Sequence, residues 1–237
     1  MKRLIPALAL IFFTGFSFLP TQAQDCSLLD AITENQVMTY ASFNPKDKET
    51  GSHTMTVLSK TTTGGKIEVE AEISYYDKKE EFLQKSPIRY SCDQGIISFD
   101  MMMSFPGQMD AYSNMEMEIV QNENFLPVSP TVGEQLNDAV LGVKITMEGG
   151  QAFSTIDAVY TDRKVVAKET LTTAAGSFEC YKIESNFLLT TKTMGIGIPF
   201  RGSSVDYYSP RIGMVKTESY NKGGKMTGYT LLTALER

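Results

Sequence analysis

One histidine and three cysteines are the scarcest reactive side chains in this 237-residue sequence: His53, and Cys26, Cys92 and Cys180. A Ser–His–Asp or Cys–His relay would have to use His53. That residue sits in the polar stretch Glu49-Thr50-Gly51-Ser52-His53, which reads as a turn. The expectation is an exposed loop imidazole, with no residue assigned to catalysis. A lone histidine and scattered cysteines give no zinc-ligand spacing, so no metal site and no cofactor are expected. The sequence also lacks a Gly-x-Ser-x-Gly elbow, a Gly-Lys-Ser/Thr phosphate loop and an EF-hand loop.

Carboxylates are abundant, and a pair of them could run glycoside chemistry. Glu68, Glu70 and Glu72, however, share one face of a strand and read as its solvated side. The chain has no tryptophan to form a sugar platform. Methionine is the compositional oddity: Met101, Met102, Met103, Met109, Met115 and Met117 crowd one stretch. On strands, Met101 with Met103 and Met115 with Met117 put thioethers on shared faces, and these four are the candidate ligand-binding residues. Thioethers suit Cu(I), yet they also fill irregular gaps in a core or make a pliable wall for an apolar ligand.

The elements that must position these residues are strands. Lys66–Asp77 alternates Ile67, Val69, Ala71, Ile73 and Tyr75 against Glu68, Glu70, Glu72 and Ser74. Similar segments are expected at 54–60, 88–92, 96–103, 115–119, 143–147, 153–160, 165–172, 178–189, 205–208, 214–220 and 226–233. Gly64-Gly65, Asp93-Gln94-Gly95, Gly149-Gly150 and Gly223-Gly224 supply the positive φ of hairpin tips. Gly195–Phe200 reads as a bulged apolar connection. The tyrosine pairs Tyr75-Tyr76 and Tyr207-Tyr208 read as sheet-edge packing. Helix signals are confined to a turn or two near residues 30–37 and 132–139.

About eleven strands with short connections predict an all-β antiparallel curved sheet. It would close into a half-barrel or partly open barrel, or split into two stacked β halves. The halves would be residues 24–121 and 139–237, with 122–138, containing Pro127, Pro130 and Gly133, as the crossover. A porin-like barrel is excluded by uneven strands and by charges on the would-be lipid faces.

Residues 1–23 read as a secretory leader: Lys2 and Arg3, then an apolar run to Leu19, then the small-x-small Thr21-Gln22-Ala23. Export places the chain in the periplasm or against the outer membrane, where cysteines oxidise. Cys26 with Cys92 is the favoured pair, because it would pin a terminus that otherwise frays. Asp25 argues against reading Cys26 as a lipid-modified cysteine. The net charge of −6 disfavours nucleic acid and anionic surfaces as partners. No further apolar run is long enough to span a membrane as a helix.

Three segments resemble a known family. They are Ala175-Gly176-Ser177-Phe178-Glu179-Cys180-Tyr181-Lys182-Ile183, Tyr208-Ser209-Pro210-Arg211-Ile212-Gly213-Met214-Val215-Lys216-Thr217-Glu218, and Pro130-Thr131-Val132-Gly133-Glu134-Gln135-Leu136-Asn137-Asp138. They are similar to motifs of the TapB-like family of exported envelope proteins, akin to a broader family of unknown function. The resemblance implies an antiparallel β fold and an envelope location, and brings no activity, cofactor or ligand with it. Within the motifs, Lys216 and Glu218 read as an exposed same-face pair. Together these readings predict a non-enzymatic envelope β protein that holds an apolar ligand or lipid, or else a structural module that offers its sheet edges to an envelope protein.

Overall fold

The computed structural model describes residues 26–101, 115–147, 149–193 and 195–237. The expected leader, and Met102, Met103 and Met109, lie outside these residues.

Alternation of apolar and polar side chains builds thirteen strands among the described residues. They are β1 (Val37–Phe43), β2 (Glu49–Thr63), β3 (Lys66–Asp77), β4 (Phe82–Asp93), β5 (Ile96–Phe99), β6 (Glu116–Glu123) and β7 (Phe125–Pro127). Then come β8 (Ala139–Thr146), β9 (Ala152–Thr173), β10 (Gly176–Thr193), β11 (Ile196–Ser209), β12 (Gly213–Asn221) and β13 (Met226–Glu236). All belong to one antiparallel sheet in the order β6-β8-β9-β10-β11-β12-β13-β1-β2-β3-β4-β5-β7. The sheet curls into a nearly closed barrel with one unsealed seam, between β6 and β7. The segments on either side of residues 122–138 are thus parts of a single hydrogen-bonded sheet.

Strand β3 has the bounds expected of it, with Ile67, Val69, Ala71, Ile73 and Tyr75 buried. Elsewhere the pairing overrides local signals. Gly51, Ser52 and His53 belong to β2, not to a turn, because they pair with Asp77, Tyr76 and Tyr75. Gly195–Phe200 is not a loose connection: Ile196–Phe200 pairs in register with Leu189–Thr193 of β10. The two strands expected at 153–160 and 165–172 are one long β9, bulged where Asp162 takes a φ of 52°. Of the apolar stretch 96–103, the described part, which ends at Met101, holds the four-residue β5. No strand was expected at β1. The helix signals reduce to a 3₁₀ turn at Ser27–Ala31, and residues 132–139 hold none.

Antiparallel connectivity sorts the turns to two ends. The end carrying the Gly64-Gly65 turn is plugged by the N-terminal segment, where Leu29 and Ile32 join the core and Cys26 is disulfide-bonded to Cys92. Lys60 Nζ secures that plug by donating to the carbonyls of Leu29, at 3.0 Å, and Ile32, at 3.2 Å. Above the plug Tyr208, Val215, Leu232, Met38 and Val57 pack with essentially no exposed surface. The opposite end has the longer overhangs: β12 meets β11 only from Gly202 onward, so Ile196 and Ile198 project beyond it, about 70% exposed.

Candidate functional site

Two residues further along the same strands, the packing stops. Tyr208 is followed inward by Asp206, Val215 by Thr217, and Leu232 by Thr230, and all three smaller residues line a cavity of about 680 Å³. That volume lies in the range of small-molecule pockets. The register carries the row onward: Asp206 faces Thr217, Thr217 faces Thr230, Thr230 faces Ser42, and Ser42 faces Gly51. Gly51 is compelled to be small, since a Cβ there would lie 2.7 Å from the carbonyl oxygen of Tyr76. Ser185, Ser204 and Ser219 form a second row on β10, β11 and β12. The facing wall is apolar, with Ile73, Ile88, Ile97 and Met101. Leu83 and Phe200, both more than half exposed, line the cavity at the end away from the plug, so it opens there.

Four titratable groups give this space its chemistry. His53 stacks on Tyr40 at 4.8 Å and leans on Tyr75 at 5.6 Å. Burial pushes its pKa down to about 4, so the imidazole is neutral at ordinary pH. Burial likewise pushes Tyr75 up to about 12. Asp206 accepts a hydrogen bond from Thr217 Oγ1 at 2.7 Å and from Ser204 Oγ at 3.3 Å. Its pKa is raised because burial outweighs those hydroxyls and the positive charge of Arg163. Arg163, turned inward by the Asp162 bulge, fastens the seam. It donates to Asn124 Oδ1 at 2.9 Å, to the Asn137 carbonyl at 2.8 Å and to the Phe125 carbonyl at 3.4 Å. The interior therefore offers hydroxyls, rings and hydrocarbon, with its charged groups already tied to protein partners.

The DUF3108-like family matches residues 33–232, nearly the whole described chain. This protein belongs to the DUF3108-like family. Two solved structures share its fold. One is a "putative lipoprotein" of Parabacteroides distasonis, 24% identical, with a TM-score of 0.70 over 86% of this chain and 96% of that one. The other is a "putative exported protein" with a YmcC-like fold from Bacteroides fragilis, 20% identical, with a TM-score of 0.70 over 86% of this chain and 97% of that one. A search of the curated proteins returned no match.

In this DUF3108-like barrel the methionine candidates fall in different settings. Met101 is buried and lines the cavity, in a small core with Leu141, Val143 and Ile156. Met115 packs against the same core, whereas Met117 is 41% exposed on the edge strand β6. Among the described residues no three histidine, cysteine or acidic side chains gather as a metal site would need. The disulfide joins Cys26 to Cys92, leaving Cys180 free and buried.

His53 requires a correction, because its place in the Tyr40–Tyr75 stack puts it inside the barrel. The tyrosine pairs also do not sit at edges. Each straddles the sheet, with Tyr208 fully buried inside while Tyr207 is flanked by Lys182 at 5.8 Å and Lys216 at 5.6 Å. Lys216 and Glu218 do share a face, 2.6 Å apart, but are largely covered. Asp206 and the hydroxyl rows carried no signal in the sequence, since small polar residues on a strand read as its outward face.

Proposed function

We propose that this DUF3108-like chain is an exported, non-enzymatic envelope protein that holds an apolar or amphiphilic ligand inside its barrel. The observation that carries the reading is the cavity, which the small inward residues of six adjacent strands keep open on one side and hydrocarbon lines on the other. Export is supported by the leader pattern and by the Cys26–Cys92 disulfide, which suits an oxidising compartment. The names given to the two structural relatives point the same way, and the likeness to TapB-like motifs is the basis for proposing that finer place within the family. His53, held by ring contacts with Tyr40 and Tyr75, is read as part of the cavity wall.

Native mass spectrometry of the protein extracted gently from its own envelope tests the reading, together with fluorescence of N-phenyl-1-naphthylamine. Expected are a co-purifying adduct of lipid mass and a saturable rise in probe emission. A bare chain in every charge state, with no probe response, would sink it.

A second reading, a module that pairs with an envelope protein, draws on β6. Among the described residues this strand pairs only with β8, and it exposes Met117, Ile119 and Val120. Such an edge can accept an added strand. Photo-cross-linking from position 119 in intact cells would favour this reading if it gave one defined adduct while the probe failed to bind.

A further inference from the structure

The open arc of the barrel is polar in a particular way. Ser42, Thr230, Thr217, Asp206, Ser204 and Ser185 come from five consecutive strands, and every one faces the cavity. They are already linked to one another: Ser42 to Thr230 at 3.1 Å, Thr217 to Asp206 at 2.7 Å, Ser204 to Asp206 at 3.3 Å, and Ser185 to Ser204 at 2.8 Å. A row of hydroxyls can rotate to donate or accept, so it can shift its bonds to a guest at little cost. We propose that this arc is a headgroup subsite for an uncharged, hydroxyl-bearing amphiphile, of which a fatty-acid glycerol monoester is the type, with the chain lying against the Ile73–Ile88–Ile97 wall. The assignment rests on the binding reading above and names its ligand class.

Charge decides the class. An anionic headgroup would be seated beside the buried carboxyl of Asp206, and the two could share that low-dielectric site only if one of them took up a proton. A quaternary cation would give up its hydration and could use none of the hydroxyls as acceptors of a hydrogen bond. Arg163 already stands as a positive neighbour of Asp206, although burial still leaves that carboxyl's pKa raised, so the acid has a cationic partner without a guest. A neutral diol has neither difficulty. It can accept from Thr217 or Ser204, donate to Asp206, and leave no buried polar atom unpaired.

Displacement of bound N-phenyl-1-naphthylamine by three twelve-carbon amphiphiles, each below its aggregation threshold, tests the subsite: glycerol monolaurate, dodecane sulfonate and dodecyltrimethylammonium. Glycerol monolaurate should displace the probe at concentrations roughly tenfold lower than either charged analogue, the scale of one hydrogen bond to a charged group. Asp206→Asn should improve the sulfonate by about tenfold and leave the monoester within about threefold of its original value. Ser204→Ala, which removes one hydroxyl and no charge, should weaken the monoester by about threefold relative to any change in probe affinity. It is the deciding variant should Asp206→Asn not fold.

Equal displacement by all three amphiphiles, a sulfonate unmoved by Asp206→Asn, or a monoester unmoved by Ser204→Ala each overturns the subsite. In those cases the probe still binds, so the cavity reading stands. A wild-type protein that never binds the probe removes both.

Discussion

Along β11, β12 and β13 the side chains nearest the plug are Tyr208, Val215 and Leu232, each with no exposed surface. Two residues on, the same three strands present Asp206, Thr217 and Thr230 to open space. Backbone, register and inward orientation are shared by the two layers, and only side-chain size and polarity change. The hollow is therefore written in residue choice and not in the curvature of the sheet. It survives because its polar atoms are paired across the strands, which removes the penalty that buried hydroxyls otherwise carry. The solid layer can then supply stability while the hollow layer supplies a site.

The sharpest way to break that division is to exchange the consequences of truncation. Tyr208→Ala removes a fully buried ring and the hydroxyl that donates to the Val128 carbonyl at 3.4 Å. It should cost about 3–5 kcal/mol of unfolding free energy, the range for deleting a large buried aromatic side chain. Thr217→Val, on the hollow layer, keeps the volume and should cost no more than about 1.5 kcal/mol for its lost hydrogen bond. Urea unfolding of both variants checks this. Similar costs at the two positions would mean that the upper layer is as tightly packed as the lower.

Next in size is the floor. Replacing Cys26 and Cys92 together by Ser opens a loop spanning 66 residues and frees the plug that carries Leu29 and Ile32. About 2–4 kcal/mol should be lost, mainly because the unfolded chain is less constrained. Binding of N-phenyl-1-naphthylamine at low temperature should weaken without being lost, since Leu29 and Ile32 of the plug line the cavity floor while the Asp206–Thr217–Thr230 row lies on other strands. Loss of stability by less than about 1 kcal/mol, judged against that range, would mean that Lys60 and the core alone hold the plug.

The same contrast explains what the sequence could disclose. Strands such as Lys66–Asp77, buried on the inner face and charged on the outer, are legible by alternation alone; the Gly-Gly hairpin tips are legible from turn chemistry, and the Cys26–Cys92 pair from the need to pin the N-terminus. The solid layer is legible for that reason: its inward residues are apolar. The hollow layer breaks the rule that assigns polar residues outward, so Gly51-Ser52-His53 reads as a turn and Ser185, Ser204 and Asp206 read as surface. Gly195–Phe200 fails for a related reason, because its β pairing comes from β10, not from its own composition. Met101 and Met115 share a small core that periodicity alone could not distinguish from a surface cluster.

Acid should discriminate the layers as well. His53 belongs to the hollow layer and has a folded-state pKa near 4 against 6.5 for the free side chain. The unfolded chain therefore takes up the proton first as pH falls below about 6.5, and native stability declines with it down to about 4. No such penalty exists above pH 7. Between pH 7 and 4.5 the loss should be about 2–2.5 kcal/mol, most of what a displacement from 6.5 to about 4 supplies at about 1.4 kcal/mol per pH unit. His53→Phe, which keeps a ring against Tyr40 and Tyr75, should flatten that part of the profile while carboxylate titration remains. An unchanged slope in the variant would mean that the imidazole meets bulk water.

Filling the hollow should change stability least and binding most. Thr230→Leu adds hydrocarbon to a wall that has room for it, worth about 0.8 kcal/mol per buried methylene. It also takes away the hydroxyl partner of Ser42, which costs about 1 kcal/mol. The two nearly cancel, so unfolding free energy should move by less than about 1 kcal/mol in either direction. Probe affinity should nonetheless fall by about tenfold, because the inserted side chain occupies space the guest needs. A variant that is clearly destabilised yet still binds would show that the row is packed in solution and that the guest lies elsewhere. Unchanged stability with lost binding is the result that only a hollow built from small residues produces.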